Sequence, residues 1–146
     1  IEGAVEQMGW RQVRIRTAEK RPIYVPNSLF STIVLENVSR MDCRKIVYDV
    51  SVRYDDIDKV NQITSEIESY MCSHKDIDVS LLHFAKMVAF ADSWLTIKVA
   101  CFAKTKVYVE ALAIQQELFI KSVGIIEKCG AGCAFPTQTL LINKSL

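Results

Sequence analysis

The residues that decide the fold are IVYDVSVRYDDIDKVNQITSEIESYM, numbers 46–71 of the chain. In the first nine of them, apolar and aromatic side chains take every second position, which is typical of a strand with one buried face. From Ile57 onward the apolar positions recur every three or four residues, the period of an amphipathic helix. We expect Asp55 or Asp56 to cap this helix at its N-terminus, and we expect the helix to end near His74.

The sequence after His74 repeats this change of period. Two runs typical of strands, 82–90 and 95–102, flank Ala91-Asp92-Ser93, which is short enough for a hairpin. A second amphipathic helix follows, and Gly130 and Gly132 are expected to close it. Its periodic positions are Tyr108, Ala111, Leu112, Gln115, Leu118, Phe119 and Ile126. With a last strand at 137–142, the order strand, helix, strand, strand, helix, strand is that of a ferredoxin-like domain, in which two helices cover one face of an antiparallel sheet.

The N-terminal part of the chain has a shorter period and more turns. Val13 and Ile15 alternate with Arg14 and Arg16, and after a polar turn the residues 23–25 continue as the second strand of a hairpin. The stretch Pro26-Asn27-Ser28 ends that strand, and a third strand is expected at 32–38. Short strands at this spacing predict part of a small barrel. We therefore predict an α+β fold, with a partial β-barrel domain over 1–41 and a ferredoxin-like domain over 42–146.

Length and composition limit the possible classes of protein. The chain has 146 residues, of which 50% are hydrophobic and 24% charged, so it can bury a core and is not disordered. Its net charge is only +1, which argues against nucleic-acid binding driven by a basic excess. Its apolar runs are far shorter than the roughly 20 residues of a membrane-spanning helix. Because the chain begins at Ile1 rather than at a methionine, we expect it to be a piece of a longer protein.

The five cysteines favour a reducing compartment, because an odd number does not complete a disulfide framework. Cys101 alternates with apolar neighbours and is expected in the core. Cys129 and Cys133 lack the CxxC spacing and the further ligands of a zinc site. We predict neither a metal site nor a cofactor.

Candidate catalytic groups are few. A nucleophile could be Ser80 or Cys72, with His74 or His83 as the base, but no nucleophile-elbow or Cys-His signature surrounds them. The carboxylates within 55–58 lack the glycine turn of a cation-binding loop, and we interpret them as favourable neighbours of a helix N-terminus. The prediction is that the chain is not an enzyme.

Basic residues near the N-terminus are the best candidates for a binding surface. On a strand, Arg14 and Arg16 would point to one face while Val13 and Ile15 point to the core. That face could be merely solvated, or it could attract anions. The candidate patch consists of Arg11, Arg14, Arg16, Lys20 and Arg21. The aromatic side chains of Trp10, Trp94 and Phe102 are interpreted as core or subunit packing rather than as stacking platforms for RNA.

Several short motifs carry a resemblance to a known family. In the N-terminal part they are Gly3-Ala4-Val5-Glu6, Arg14-Ile15-Arg16-Thr17, Pro26-Asn27-Ser28 and Glu36-Asn37-Val38-Ser39-Arg40. Together they resemble the small-conductance mechanosensitive channel family, MscS. Tyr54-Asp55-Asp56-Ile57-Asp58, Phe102-Ala103-Lys104-Thr105-Lys106 and Phe135-Pro136-Thr137-Gln138-Thr139 are similar to stretches of that family's carboxy-terminal domain. The forms Gly9-Trp10-Arg11 and Arg21-Pro22-Ile23-Tyr24-Val25 are closer to members with extra amino-terminal membrane helices. The positions that match as structural motif residues are Gly3, Gly9, Arg14, Arg16, Pro26, Asn27, Ser28, Glu36, Asn37, Arg40 and Pro136.

The resemblance implies the cytoplasmic part of a tension-gated ion channel in the inner membrane of a cell, a channel that releases ions and small solutes on hypo-osmotic shock. Residues 1–41 would be most of an Sm-like β-domain, and the rest would be a wall segment of a hollow cage. The implied partners are further copies of the chain, seven in the usual family assembly, and the permeating ions. The pore helix would precede Ile1 and would connect the cage to the membrane. No nucleic acid is implied.

Two other functions remain open from the sequence. Sm-like barrels also form rings that associate with RNA, and the front of this chain is basic. A ferredoxin-like unit can also serve as a sensor of small molecules. Salt-dependent RNA affinity would favour the first of these functions, and stabilisation by a metabolite would favour the second.

Overall fold

The computed structural model describes residues 2–137 of the chain. The chain divides into two compact units, Ile1–Arg40 and Met41–Leu146. We call them the N-terminal unit and the C-terminal unit, and each is described by itself.

The N-terminal unit is built on a three-stranded antiparallel sheet. Its strands are β1 (Ala4–Met8), β2 (Gln12–Arg16) and β3 (Pro22–Pro26), in the order β1-β2-β3. The hairpin of β2 and β3 was predicted from the alternation and is confirmed. One face of this hairpin carries a small core, in which Ile23 and Phe30 are partly buried beside the buried side chains of Val13, Ile15 and Val25.

The strand predicted at 32–38 is wrong. Residues 34–37 have no regular structure and lie between two 3₁₀ turns, Asn27–Ser31 and Val38–Arg40. The run of branched apolar residues has strand propensity, but a strand also needs a neighbouring strand to bond. Here the Asn37 side chain accepts a hydrogen bond from the Ser39 N–H at 3.1 Å, and this local turn competes with extended pairing.

The C-terminal unit has the predicted α+β order. Its elements are β4 (Arg44–Val52), α1 (Val60–Ser73), β5 (Phe84–Phe90), β6 (Leu95–Ala103) and α2 (Tyr108–Lys128). The sheet order is β4-β6-β5 with both pairings antiparallel, so β4 and β5 run parallel with β6 inserted between them. This is the split βαβ arrangement of a ferredoxin-like fold. The strand predicted at 137–142 lies, beyond Thr137, outside the described residues.

The core of this unit lies between the sheet and the two helices. The central strand β6 is buried or half-buried at every position, because it has a strand on each side and its inner residues belong to the core. Cys101 is fully buried, as predicted, and burial raises the pKa of its thiol to about 11. The other fully buried large side chains are Val52, Ile63, Ile67, Met71, Ile77, Leu95, Ile97, Val99, Leu118 and Ile126.

The two helices end as predicted, but α1 begins differently. At the end of α2, Gly130 has φ +70°, its N–H donates to the carbonyl of Glu127, and the N–H of Ala131 donates to the carbonyl of Ile126. These bonds form a glycine-dependent Schellman motif. The prediction that Asp55 or Asp56 caps the first helix is wrong, because a 3₁₀ turn (Tyr54–Lys59) comes first and α1 has no side-chain cap.

Candidate functional site

The predicted basic patch is partly neutralised in the structure. Arg16 binds Glu6 of β1 with two hydrogen bonds of 2.7 and 2.9 Å, and Arg14 Nε lies 3.1 Å from the same carboxylate. The Arg16 hydrogen bond holds the pKa of Glu6 below its ordinary value. Arg21 pairs with Glu19 at 2.5 Å. The face of β2 opposite Val13 and Ile15 is therefore a charged network rather than a row of free cations.

The remaining two patch residues lie in turns. Arg11 follows β1, and its guanidinium carbon is 4.9 Å from the centre of the Trp10 ring. Lys20 occupies the turn between β2 and β3 with φ +67°. Within residues 2–137, no carboxylate lies within 4 Å of either cationic group. Among the residues that the structure describes, Arg11 and Lys20 are thus the patch members that are not paired with a carboxylate.

The turn between β1 and β2 is held by motif residues. The Asn27 side-chain amide donates to the carbonyls of Gly9 and Trp10, both at 3.0 Å. A Cβ on Gly9 would lie 2.8 Å from the Gln12 carbonyl oxygen, so this tight turn requires glycine. Trp10 itself is 87% exposed, so its interpretation as a core residue is wrong within this chain, and its packing against another subunit stays a prediction. Trp94 and Phe102 are half-buried.

The other motif positions have local roles or lie at the surface. The Ser28 carbonyl accepts a hydrogen bond from the Ser31 hydroxyl, and Asn37 closes the turn described above. Pro26 ends β3. Glu36, Arg40 and Pro136 lie exposed at the surface.

Both units expose apolar side chains of a kind that usually marks an interaction surface. In the N-terminal unit, β1 exposes Val5 and Met8, and the segment after β3 exposes Val34 and Leu35. In the C-terminal unit, one side of α2 exposes Tyr108, Val109, Leu112, Phe119, Ile120 and Val123. The sequence pattern had not separated these positions from the buried ones.

A buried carboxylate fastens the segment after α2 to the turn before α1. One oxygen of Asp56 accepts from Lys59 Nζ at 2.8 Å, and the other accepts from Arg53 at 3.2 Å and from the Gly132 N–H at 3.0 Å. Lys59 also donates to the Gly130 carbonyl at 2.6 Å. The hydrogen bonds from Lys59 and Gly132 lower the pKa of Asp56 to about 2. Sequence reasoning missed this cluster because Gly130 and Gly132 are far along the chain from Asp56 and Lys59.

The Asp56 cluster predicts a pH-dependent difference in stability. An aspartate in an unfolded chain has a pKa near 4, so its charge-dependent stabilisation is complete above about pH 4 and is lost as the pH falls through about 2. Asp56→Asn is therefore expected to lower the free energy of unfolding at pH 7, and the difference from the unaltered chain should shrink between pH 4 and pH 2. Urea unfolding at a series of pH values measures this difference.

Asp55→Asn is the matched control for this measurement. Asp55 is exposed and has no salt-bridge partner within residues 2–137, so its substitution should leave the stability unchanged over the same pH range. A constant difference between Asp56→Asn and the unaltered chain from pH 7 to pH 2 would contradict the assignment.

One pair of the predicted catalytic candidates does come together. Cys72 Sγ lies 3.4 Å from His83 Nε2. Ser80 instead bonds Asp78 at 2.6 Å. The side chain of His74 is buried, and its Nε2 lies 3.4 Å from the Glu117 carboxylate. Within residues 2–137, no group of three or more His, Cys, Asp and Glu side chains is arranged to hold a metal ion. Across the same residues, no helix is long and apolar enough to span a bilayer.

Two protein-family models match the chain. Residues 46–132, more than half of its length, match the family model described as "Mechanosensitive ion channel MscS, C-terminal". The chain belongs to the MscS family. Residues 1–40 match a second model, "Mechanosensitive ion channel, beta-domain". The resemblance found in the sequence motifs is thereby confirmed.

Relatives in the MscS family match along nearly the whole chain. The Low conductance mechanosensitive channel YnaI of Escherichia coli is 43% identical over 143 residues, covering 98% of this chain and 42% of the relative. Mechanosensitive ion channel protein 1, mitochondrial, of Arabidopsis thaliana is 31% identical, covering 96% of this chain and 29% of the relative. The chain thus spans about two fifths or less of the length of these relatives.

Solved MscS-family structures share the fold. A cryo-EM structure of Arabidopsis thaliana MSL1 superposes with a TM-score of 0.86 at 30% identity, covering 94% of this chain and 50% of that one. The crystal structure of Helicobacter pylori MscS in its closed state has a TM-score of 0.74 at 19% identity, covering 98% of this chain and 55% of that one. The second likeness concerns the fold alone.

Proposed function

We propose that this chain is the cytoplasmic part of a tension-gated ion channel that releases ions and small solutes on hypo-osmotic shock. The observation that carries the proposal is the match of residues 1–40 and 46–132 to two mechanosensitive-channel family models, together with 43% identity to a relative named as a mechanosensitive channel. The same relationship favours a channel over an RNA-associated ring or a metabolite sensor. Ion passage, rather than catalytic turnover, is the activity that we assign.

The membrane-spanning part of such a channel would lie outside this chain. The chain covers 42% of YnaI, which leaves more than half of that relative's length without a counterpart here. We place the pore in a preceding segment of the complete protein, in the inner membrane, with residues 1–41 as its adjoining β-domain and 42–146 as a wall domain. Membrane tension would then favour the pore conformation that occupies more area, because tension shifts an equilibrium only through a difference between the two states.

Assembly from several copies would cover the exposed apolar side chains. Val5 and Met8 lie on β1, which has a free edge in the described sheet, and α2 exposes a row that includes Val109 and Ile120. Edges and apolar faces of this kind are normally covered by a partner. A closed ring of identical copies, seven in the family assembly, would cover them in every subunit.

Fixed charge on the chain would influence which ions approach the pore. Arg14, Arg16 and Arg21 are paired with carboxylates, so Arg11 and Lys20 are the members of the basic patch that would act most strongly on anions. We propose a weak attraction of anions at this surface.

Current recordings and a mass measurement test the proposal. The complete protein, reconstituted in liposomes, is expected to open conducting pores when suction is applied to a membrane patch and to close them when suction is released. Light scattering of the same protein in detergent should give the mass of a closed ring of about seven subunits. Liposomes without protein are the control. Current that does not respond to suction, or a monomer in detergent, would overturn the proposal.

A further inference from the structure

Cys72 and His83 meet where the end of α1 packs against the start of β5. One turn earlier on the same face of α1, Glu68 accepts the N–H of Ala85 at 3.0 Å and pairs with Lys86 at 2.8 Å. These contacts fix the first residues of β5 against the helix. They bring His83 Nε2 to 3.4 Å from Cys72 Sγ, although the two residues are 11 positions apart.

The second ring nitrogen of His83 determines how this pair shares its proton. Nδ1 lies 2.9 Å from the carbonyl oxygen of Leu81. Because a carbonyl oxygen can only accept, Nδ1 carries a hydrogen, and the neutral ring then presents the lone pair of Nε2 to the thiol. Cys72 therefore donates its S–H to His83. A nucleophile, a base and a group that orients the base are the three parts of an activated nucleophile.

Cys72 is also the most exposed of the five cysteines, all of which lie within residues 2–137. Cys101 is buried, Cys43, Cys129 and Cys133 are partly buried, and Cys72 is exposed. Burial raises the pKa of Cys101, Cys129 and Cys133, which disfavours their thiolates. Cys72 lines an open groove together with Ser69, Ser73, His83 and Lys86 among others. A small molecule can therefore reach Cys72 from the solvent.

We propose that Cys72 is a reactive thiol that forms mixed disulfides with small disulfides such as glutathione disulfide. His83 Nε2 takes the thiol proton, and the Cys72 thiolate attacks one sulfur of the small disulfide. A new sulfur–sulfur bond forms to Cys72 as the original one breaks, and the departing thiolate receives the proton from His83. The small disulfide is reduced by the same two electrons that oxidise Cys72, so no further oxidant is needed. An excess of free thiol reverses the reaction.

Peptide mapping of the complete protein tests this proposal. Trypsin releases Cys72 in the peptide 60–75, Cys43 in 41–44 and Cys101 in 99–104, so each of these thiols is measured separately. With glutathione disulfide as the probe, the peptide 60–75 should gain one glutathione faster than 41–44. In His83→Phe, which keeps a ring of similar size but no base, the rate at Cys72 should fall roughly tenfold or more.

Two further variants complete the test. Ser80→Ala alters a hydroxyl on the segment that leads to His83 but outside this groove, where it bonds Asp78, and should leave the rate unchanged. His83→Asn keeps a donor near the position of Nδ1 but removes Nε2, so the addition of glutathione to Cys72 should be slow in this variant too. It replaces His83→Phe if that variant does not fold. Equal rates at Cys72 with and without His83 would overturn the proposal, as would modification of Cys72 no faster than Cys43. These outcomes are independent of channel activity.

Discussion

Replacing Leu118 by alanine is expected to lower the free energy of unfolding of the C-terminal unit by about 3 kcal/mol. Leu118 is 1% exposed and belongs to the core between α2 and the sheet. The substitution removes buried methyl groups and leaves a cavity. The other side chains of this core, Ile63 and Ile126 among them, are held by two helices and a sheet that cannot fully close it. Urea unfolding followed by circular dichroism measures the change.

Ile120→Ala is the matched control on the same helix. Ile120 is 67% exposed, so losing its side chain should change the stability of the unit by no more than about 0.5 kcal/mol. If both substitutions destabilised the chain equally, the assignment of the buried face of α2 would be wrong.

The difference between Leu118 and Ile120 also shows that the sequence alone could not identify the buried face of α2. Both faces of α2 carry apolar residues, and the periodic set chosen from the sequence included Tyr108 and Leu112, which are exposed. It omitted Ile114 and Ser122, which are buried. The Ser122 hydroxyl is tolerated in the core because it forms a hydrogen bond of 2.8 Å with the Tyr48 hydroxyl. When a helix has both a core face and an exposed apolar face, apolar residues surround much of its circumference. The sequence then does not show which face is buried, and the packing of the helix against the sheet determines it.

The order of elements in the C-terminal unit could be predicted because each has a clear period and a clear end. The change from period two to period three or four at Ile57, and the glycine after α2, are local signals. The failed strand at 32–38 shows the limit of such signals. Strand propensity does not supply a partner, and no strand partner for this segment lies within residues 2–137.

The candidate sites were less predictable because they depend on tertiary contacts. The sequence predicts Asp56 as a helix cap, but in the structure its carboxylate accepts a hydrogen bond from the N–H of Gly132, 76 residues away. From the sequence, the basic residues of β2 were candidates for an anion-attracting patch. In the structure, the pairing of β1 with β2 brings Glu6 against Arg14 and Arg16. Residue types alone suggested Cys72 and His83 among four combinations, and only the packing of α1 against β5 selects that pair.

Gly3→Ala is expected to destabilise the N-terminal unit by roughly 2 kcal/mol. A Cβ at this position would lie 2.5 Å from the Arg16 carbonyl oxygen and 2.7 Å from a methyl carbon of Ile15. The first contact is with the backbone of β2, which cannot turn aside as a side chain can. β1 must therefore move away from β2, which weakens their pairing and draws Glu6 away from Arg16. Faster amide hydrogen exchange in β2 is the expected result.

Gly124→Ala provides a control with the opposite sign. Gly124 is an exposed residue in the interior of α2, and a Cβ there would meet nothing within 4 Å. Alanine is favoured over glycine inside a helix by about 1 kcal/mol, so this variant should slow exchange in α2. The same chemical change thus weakens one unit and strengthens the other, because the fold occupies the space that a side chain needs at Gly3 but not at Gly124. Unchanged exchange in β2 of Gly3→Ala would mean that β1 and β2 are not packed as closely as the structure has them.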